Sequence, residues 1–579
     1  MGGVCSRKRG HQVNEDGVRI GISGRYCKSG SSKWLLGSPY CKTAAAFQLE
    51  GGSCPSLMEL CIRKIQKDID EYSSFYMLPR DVSQQVFDEL VSSHCLADGS
   101  LEAFRDCALQ DICLDDYPGV NDNWMCVISS QGSSLLSVDL SGSDVTDSGM
   151  ALLRSCSNLQ ALALNYCDHI TENGLKHFSG LQNLMSLSLK RSYAVTAEGM
   201  RAISSFTNLL ELDIERCSGI HGGFVHLKGL KKLKSLNARY CRCITNSDLK
   251  AISELTNLEE LQVSCSGITD VGVSYLKDLE KLVLLNLEGC QLTAACLDSI
   301  SALVALSYLN LSRCGLSDQG CDKLSGLKNL KVLNLAFNNI TDACLVNLKG
   351  LTNLETLNLD SCRIGDEGLA NLAGLLKLKT LELSDTEVGS EGLRHLSGFL
   401  NLESVNLSFT LVTDGGLKKL SGLTSLKSLN LDCRQITDAG LAALTSLTGL
   451  THLDLFGARI SDSGTHCLRY FKKLQSLEIC GGGLTDTGVK NIKDLTSLTL
   501  LNLSQNYNLT DKTLELISGL TGLISLNVSN SRITSEGLKH LEPLKNLHSL
   551  CLESCKVTAA DIQKLRSTAL PNLVSSRPE

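Results

Sequence analysis

The chain has 579 residues, a formal net charge of −7, 4% aromatic residues and 7 prolines. That acidic balance leaves no electrostatic footprint for DNA or RNA, so nucleic-acid binding is not expected. The 26 cysteines would suggest disulfides in a short secreted chain, but no apolar stretch near the amino terminus fits a signal peptide and no run is long and apolar enough for a transmembrane helix.

Residues 1 to 55 read as a basic, disordered leader. It opens MGGVCSRKR, where removal of Met1 would expose Gly2 with Ser6 at the favoured hydroxyl position, the pattern of N-myristoylation. Cys5 is placed for S-palmitoylation beside it, and Arg7, Lys8 and Arg9 follow. One myristoyl chain binds membranes only marginally, on the order of 10⁴ M⁻¹, so a second acyl chain or a basic patch is required. Both are present: residues 1 to 49 hold eight Lys or Arg against Glu15 and Asp16, a segment that an anionic cytoplasmic leaflet attracts. The expectation is a protein lipid-anchored at the cytoplasmic side of the plasma membrane. The plainer alternative is a disordered leader without lipid.

Residues 56 to 130 read as helical. In SLMELCIRKI, Leu57, Cys61 and Ile65 recur every fourth residue and would line one helix stripe. These residues resemble the BC-box, SLxxxCxxxI, through which receptors of the von Hippel-Lindau and suppressor-of-cytokine-signalling type bind elongin C. In MLPRDVSQQVFDELV, Leu78, Pro79, Val82 and Val86 resemble the cullin box that follows BC-boxes; the same stretch also resembles the opening of an F-box, which grips a Skp-type adaptor. The residues after it, Ser92 to Asp116, match an F-box only loosely, and Trp124 falls late. The alternative for this segment is a small helical cap over the first repeat's open edge, which every solenoid needs.

From Leu135 to Leu565 a unit of about 24 residues recurs, with eighteen LxxLxL starts from Leu135 through Leu547 at intervals of 24 or 25 residues. This pattern resembles the leucine-rich repeat. It predicts an α/β solenoid, a horseshoe of about 18 repeats over residues 131–568 with a parallel sheet on its concave face, a small helical domain before it and a tail from 569 to 579. Positions 1, 4 and 6 of each unit (Leu426, Leu429 and Leu431) point inward and positions 3, 5 and 7 face the concave side. A turn and a short helix follow. In the sixth unit Ile268 closes the turn, Thr269 or Asp270 is placed to cap the helix, and Leu276 returns to the core. One strand per unit gives an arc on the order of 80 Å, long enough for a folded protein or a long peptide.

Seven cysteines, Cys167, Cys217, Cys241, Cys290, Cys314, Cys362 and Cys555, occupy position 9, where Asn338 and Asn506 stand in two other units. A small polar side chain fits that interior turn, and one sulfur per repeat makes no metal cluster. Asn286, Asn310, Asn334, Asn358, Asn406 and Asn430 at position 5 predict a polar ladder along the sheet. The most distinctive concave residues fall in units two to five: Tyr166, Lys190, Arg191, Arg216, Arg239 and Tyr240. Tyrosine and arginine favour hot spots, so these are the candidate client-binding residues. Farther along, the surface turns acidic and aromatic, with Asp360, Asp385, Asp432, Phe337, Phe409 and Phe456.

No GxxxxGK[ST], HExxH or GxSxG is present, so catalysis, a cofactor and a metal are not expected. The domain order resembles that of F-box/leucine-rich-repeat proteins and leucine-rich elongin-cullin receptors. The resemblance implies a substrate-recognition subunit of a cullin-type ubiquitin ligase, binding a protein client on the horseshoe and an adaptor, elongin C or Skp-type, through Leu57, Cys61, Ile65, Leu78, Pro79, Val82 and Val86. The alternative is a ligase-independent scaffold or signalling protein at the membrane.

Overall fold

The computed structural model describes residues 56–577; Gly2, Cys5 and the basic run after them lie outside the described residues. Twenty short strands, β1 to β20 in chain order, form one sheet, in which each strand pairs in parallel with the one before and the one after, as in β13 (Ser404–Asn406), β14 (Ser428–Asn430) and β15 (His452–Asp454). Each strand covers positions 3 to 5 of its unit, so its central leucine points inward while its neighbours face out. Leu429 is buried and Ser428 and Asn430 are half-buried. The leucines of positions 1, 4 and 6 stack from unit to unit into a single continuous core.

The array is one strand longer at each end than the eighteen starts predict. β1 (Asp111–Cys113) pairs with β2 (Ser137–Asp139), and β20 (Ser575–Arg577) pairs with β19 (Ser549–Cys551). The early unit reads Leu109, Ile112 and Leu114, all buried, with isoleucine at position 4 in place of leucine. The boundary expected at residue 130 therefore falls inside the solenoid, and so does the one expected at 569.

Ahead of β1 stand α1 (Leu57–Lys67), α2 (Arg80–Ser92) and α3 (Asp98–Glu102); α4 (Asp122–Ser130) is the first unit's own helix. Ser56 and Glu59 close a capping box at the start of α1, with Ser56 N donating to Glu59 Oε2 at 2.7 Å and Glu59 N donating to Ser56 Oγ at 3.2 Å. Phe75, Phe87 and Phe104 pack together, with ring centroids 4.8 Å apart for Phe75 and Phe104 and 5.3 Å for Phe87 and Phe104. In later units the amides of positions 2 and 3 donate to a carbonyl of the preceding unit, as Leu136 N and Ser137 N do to Gln110 O. The first unit has no predecessor, and Gln84 of α2 takes its place. Gln84 Oε1 accepts from Gln110 N at 3.0 Å and Asp111 N at 3.2 Å, and Gln84 Nε2 donates to Asp111 O at 2.6 Å.

Side chains repeat with the strands. All seven position-9 thiols donate to the position-6 carbonyl of the preceding unit, for example Cys217 Sγ to Leu189 O and Cys314 Sγ to Leu287 O, both at 3.1 Å. Asn338 fills the same slot, its Nδ2 donating to Leu311 O at 2.9 Å while its Oδ1 accepts from Cys314 N and Leu316 N. The position-5 asparagines bind mainly within their own unit. Asn358 Oδ1 accepts from Asp360 N at 2.9 Å and Asn406 Oδ1 from Ser408 N at 3.0 Å, so each holds the chain as it leaves the strand. At the sixth unit's helix, Asp270 does not cap its own turn. Its carboxylate accepts from the amide and hydroxyl of Thr293 in the next unit, at 2.8 and 2.7 Å, while the Thr269 hydroxyl accepts from Asn246 Nδ2 at 2.9 Å.

Candidate protein-binding surfaces

Two surfaces carry the residues singled out by the sequence. The first is α1. Its apolar residues divide between two faces: Ile62 is buried and Ile65 half-buried against the core, whereas Leu57 is 77% exposed and Met58, Leu60 and Cys61 are also exposed. Met77, 87% exposed, and Tyr76 add to the same end of the molecule. Large exposed apolar residues gathered in one place are the usual mark of a partner surface.

The segment resembling a cullin box or F-box is placed differently. Pro79 is exposed at the start of α2 and Leu78 and Val82 are half-buried, but Val86 has 0% exposure and packs in the core with Phe87 and Leu90. Val86 is therefore out of reach of an adaptor, which corrects the docking role expected for it. The cause is its place on the face of α2 that turns toward the core, two residues after the Gln84 that seals β1. Ile65 likewise spends part of its surface inward. Trp124 is buried in α4 and donates from Nε1 to Asp98 Oδ1 at 2.6 Å, tying α3 to the first unit.

The second surface is the lip of the sheet in units two to five. Tyr166, Arg191, Arg216 and Tyr240 all sit at position 8, with φ of 59°, 52°, 62° and 60°. This left-handed conformation is strained for residues with a Cβ. It turns each amide toward the next unit, where Tyr166 N donates to Lys190 O at 2.9 Å and Arg216 N to Arg239 O at 2.8 Å. The side chains are carried outward: Tyr166 is 47% exposed, and Arg191 and Arg216 are exposed. The sequence held a signal for this geometry, since Gly142, Gly289, Gly457 and Gly481 occupy the same position with φ between 70° and 73°.

The six candidate residues do not form one charged cluster. The Arg216 and Arg239 guanidinium carbons lie 5.1 and 5.4 Å from the Tyr240 ring centroid, two cation-aromatic contacts on one ring. Lys190 is engaged elsewhere, its Nζ 3.3 Å from Asp213 Oδ2, and Arg216 Nε lies 3.8 Å from Glu215 Oε1. Farther along the sheet, burial first and Glu478 second push the Asp454 carboxyl up to about 7, and burial pushes that of Asp432 up to about 6. Among the described residues no group of His, Cys, Asp and Glu side chains is arranged to hold a metal ion, and no helix is long and apolar enough to cross a membrane.

A parallel sheet that each strand–turn–helix unit extends by one strand, with polar and aromatic side chains presented along one face, defines a solenoid built for binding. Its sequence carries the corresponding signature: residues 191–441 match the family model described as leucine-rich repeat region and residues 133–153 match a second leucine-rich repeat model. The fold is a leucine-rich repeat solenoid. No curated protein matches it in sequence. Among solved structures it is similar to an internalin from Listeria monocytogenes, with 27% identity over 58% of this chain and 90% of that one and a TM-score of 0.44. It is also similar to the plant peptide hormone receptor RGFR1 in complex with RGF2, with 16% identity over 85% of this chain and 88% of that one and a TM-score of 0.40. A third similar structure is a leucine-rich repeat protein of Leptospira interrogans, with 22% identity over 76% of this chain and 95% of that one and a TM-score of 0.39.

Proposed function

We propose that this protein is the client-holding subunit of a cullin-type ubiquitin ligase. In this reading the sheet face of the solenoid holds a protein client, and α1 presents Leu57 and Cys61 to elongin C or a Skp-type adaptor, with Leu78, Pro79 and Val82 beside them. Gly2 and Cys5 carry acyl chains that keep the complex at the cytoplasmic side of the plasma membrane. The observation that carries the reading is the outward face of α1, where Leu57 and Cys61 stand exposed in the spacing of a BC-box although the opposite face is packed. The chemistry then belongs to the partners, and this chain contributes proximity.

Substituting Leu57 and Cys61 together with aspartate tests the docking. Because neither residue is in the core, the melting temperature should hold while co-purification of elongin C or a Skp-type protein is lost. If neither adaptor co-purifies with the unsubstituted protein, the ligase reading falls. Membrane fractionation of Gly2→Ala tests the acyl anchor, and unchanged membrane association would reject it.

A second reading, a ligase-independent scaffold, is favoured by one contact. Gln84 closes the sheet edge from within the second adaptor-like segment, as a purely structural cap would. It predicts that the Leu57 and Cys61 substitutions change no partner, whereas Gln84→Ala loosens the first repeats.

A further inference from the structure

Among the described residues, four buried side-chain polar atoms have no hydrogen-bond partner, and three of them, Arg239 Nε, Gln262 Oε1 and Ser264 Oγ, share one patch. The fourth, Asp248 Oδ1, is on the helix Asn246–Ile252 away from the sheet. Gln262 ends β7 (Glu260–Gln262) in register with Asn237, the last residue of β6 (Ser235–Asn237). Two residues farther on, Tyr240 N donates to Ser264 O at 2.8 Å, which sets Arg239 beside Ser264 on the same face. Strand geometry places the three side chains roughly 5 to 8 Å apart.

Gln262 is 8% exposed and Ser264 0% exposed, although both stand on the outward side of the sheet. Buried groups without partners are rare in folded proteins. Three on neighbouring positions of two adjacent units leave hydrogen-bonding capacity that the free chain does not use. The set contains a donor, an acceptor and a hydroxyl that serves as either. A single anion would leave Gln262 Oε1 unpaired and would meet Glu215 and Glu288, which occupy the same position 7 on the flanking units. A cation would meet Arg239. A peptide group, with one carbonyl and one amide hydrogen, matches the set.

We infer that an extended, unfolded segment of the client crosses the sheet over β6 and β7 and is read there through its main chain. Arg239 turns off the Tyr240 ring and donates from Nε to a client carbonyl, Gln262 Oε1 accepts a client amide hydrogen, and the Ser264 hydroxyl takes the adjoining peptide group. Tyr240, held against Arg216, forms the wall beside it. The inference rests on the sheet face being where the client binds, and it is independent of the adaptor.

The test uses the full chain and an array of random-sequence dodecapeptides blocked as N-acetyl and C-amide, with bound peptides then measured by fluorescence polarisation. Wild type should capture linear peptides, and Gln262→Leu combined with Ser264→Ala should weaken them at least ~10-fold. The same double variant should melt no lower than wild type, because it removes unpaired buried groups. If it melts lower, Ser264→Ala alone serves, with a loss of about threefold or more expected. An array with no wild-type binders, or binders indifferent to these substitutions, overturns the inference. Adaptor co-purification, measured on the same proteins, reads the ligase proposal separately.

Discussion

Asp318 of one unit accepts both the amide hydrogen of Thr341 in the next, at 2.8 Å, and its hydroxyl hydrogen, at 2.6 Å. Thr341 in turn caps its own helix by accepting from Ala343 N at 3.3 Å. The same rung joins Asp122 to Thr146, Asp147 to Thr171, Asp414 to Thr437 and Asp511 to Thr534. At Thr146–Asp147, Thr437–Asp438 and Thr510–Asp511 the pair looks both ways along the solenoid, with threonine ordering its own turn and aspartate ordering the following one.

Asp318→Ala should leave two donors of Thr341 unpaired and cost about 1 to 3 kcal/mol, while Thr341→Ser, which keeps both, should cost less than about 1 kcal/mol. Urea unfolding followed by circular dichroism checks both. Because stability in a repeat array is a sum of local terms, hydrogen exchange should place the loosening in the units adjoining Asp318 and not at the far end.

Burial pushes the Cys217 thiol up to about 12 and the Cys362 thiol to about 11, and both are closed off from solvent. The thiolate is the reactive form. Iodoacetamide at pH 8 should therefore modify the exposed Cys61, Cys95 and Cys126 first, and reach Cys217 and Cys362 only after denaturant is added. Peptide mass spectrometry of a time course reads the order; early labelling of Cys217 in the folded protein would contradict it.

Asp454 predicts a pH dependence of stability. Its native carboxyl, raised to about 7 from an ordinary 3.8, holds its proton to a higher pH than the unfolded chain does. The native state therefore binds more protons than the unfolded state between about pH 4 and pH 7, and stability is lost as pH rises through that window. Asp454→Asn should flatten that slope and raise stability at pH 8 by on the order of 2 kcal/mol. Thermal melts of both proteins from pH 4 to pH 8 compare the two slopes; parallel curves would reject the assignment.

The repeat was legible because leucine at positions 1, 4 and 6 is the core itself, and a period fixed by burial writes itself into the sequence. The position-9 cysteines were legible for the same reason. Leu109, Ile112 and Leu114 do not match the all-leucine pattern because isoleucine serves the core as well as leucine does, and Ser575 to Arg577 in the last strand carries no leucine pattern. The outward lip was half legible. Tyr166 and Arg216 stood out by residue type, but their left-handed backbone is set by the bond each amide makes to the following unit, which only the glycines at the same position betray. Val86 was misplaced because a short apolar pattern on α2 reads the same whether its face meets a partner or its own core. The patch of Arg239, Gln262 and Ser264 has no sequence signature, since what distinguishes it is the hydrogen bonds it lacks.

A parallel sheet with a free edge is a template on which another copy's strand can add, and a solenoid has two such edges. At the amino-terminal one a single side chain, Gln84, accepts from the Gln110 and Asp111 amides, the position-2 and position-3 amides that a preceding repeat would otherwise claim. Gln84→Ala would leave these groups unpaired and open that edge to strand addition.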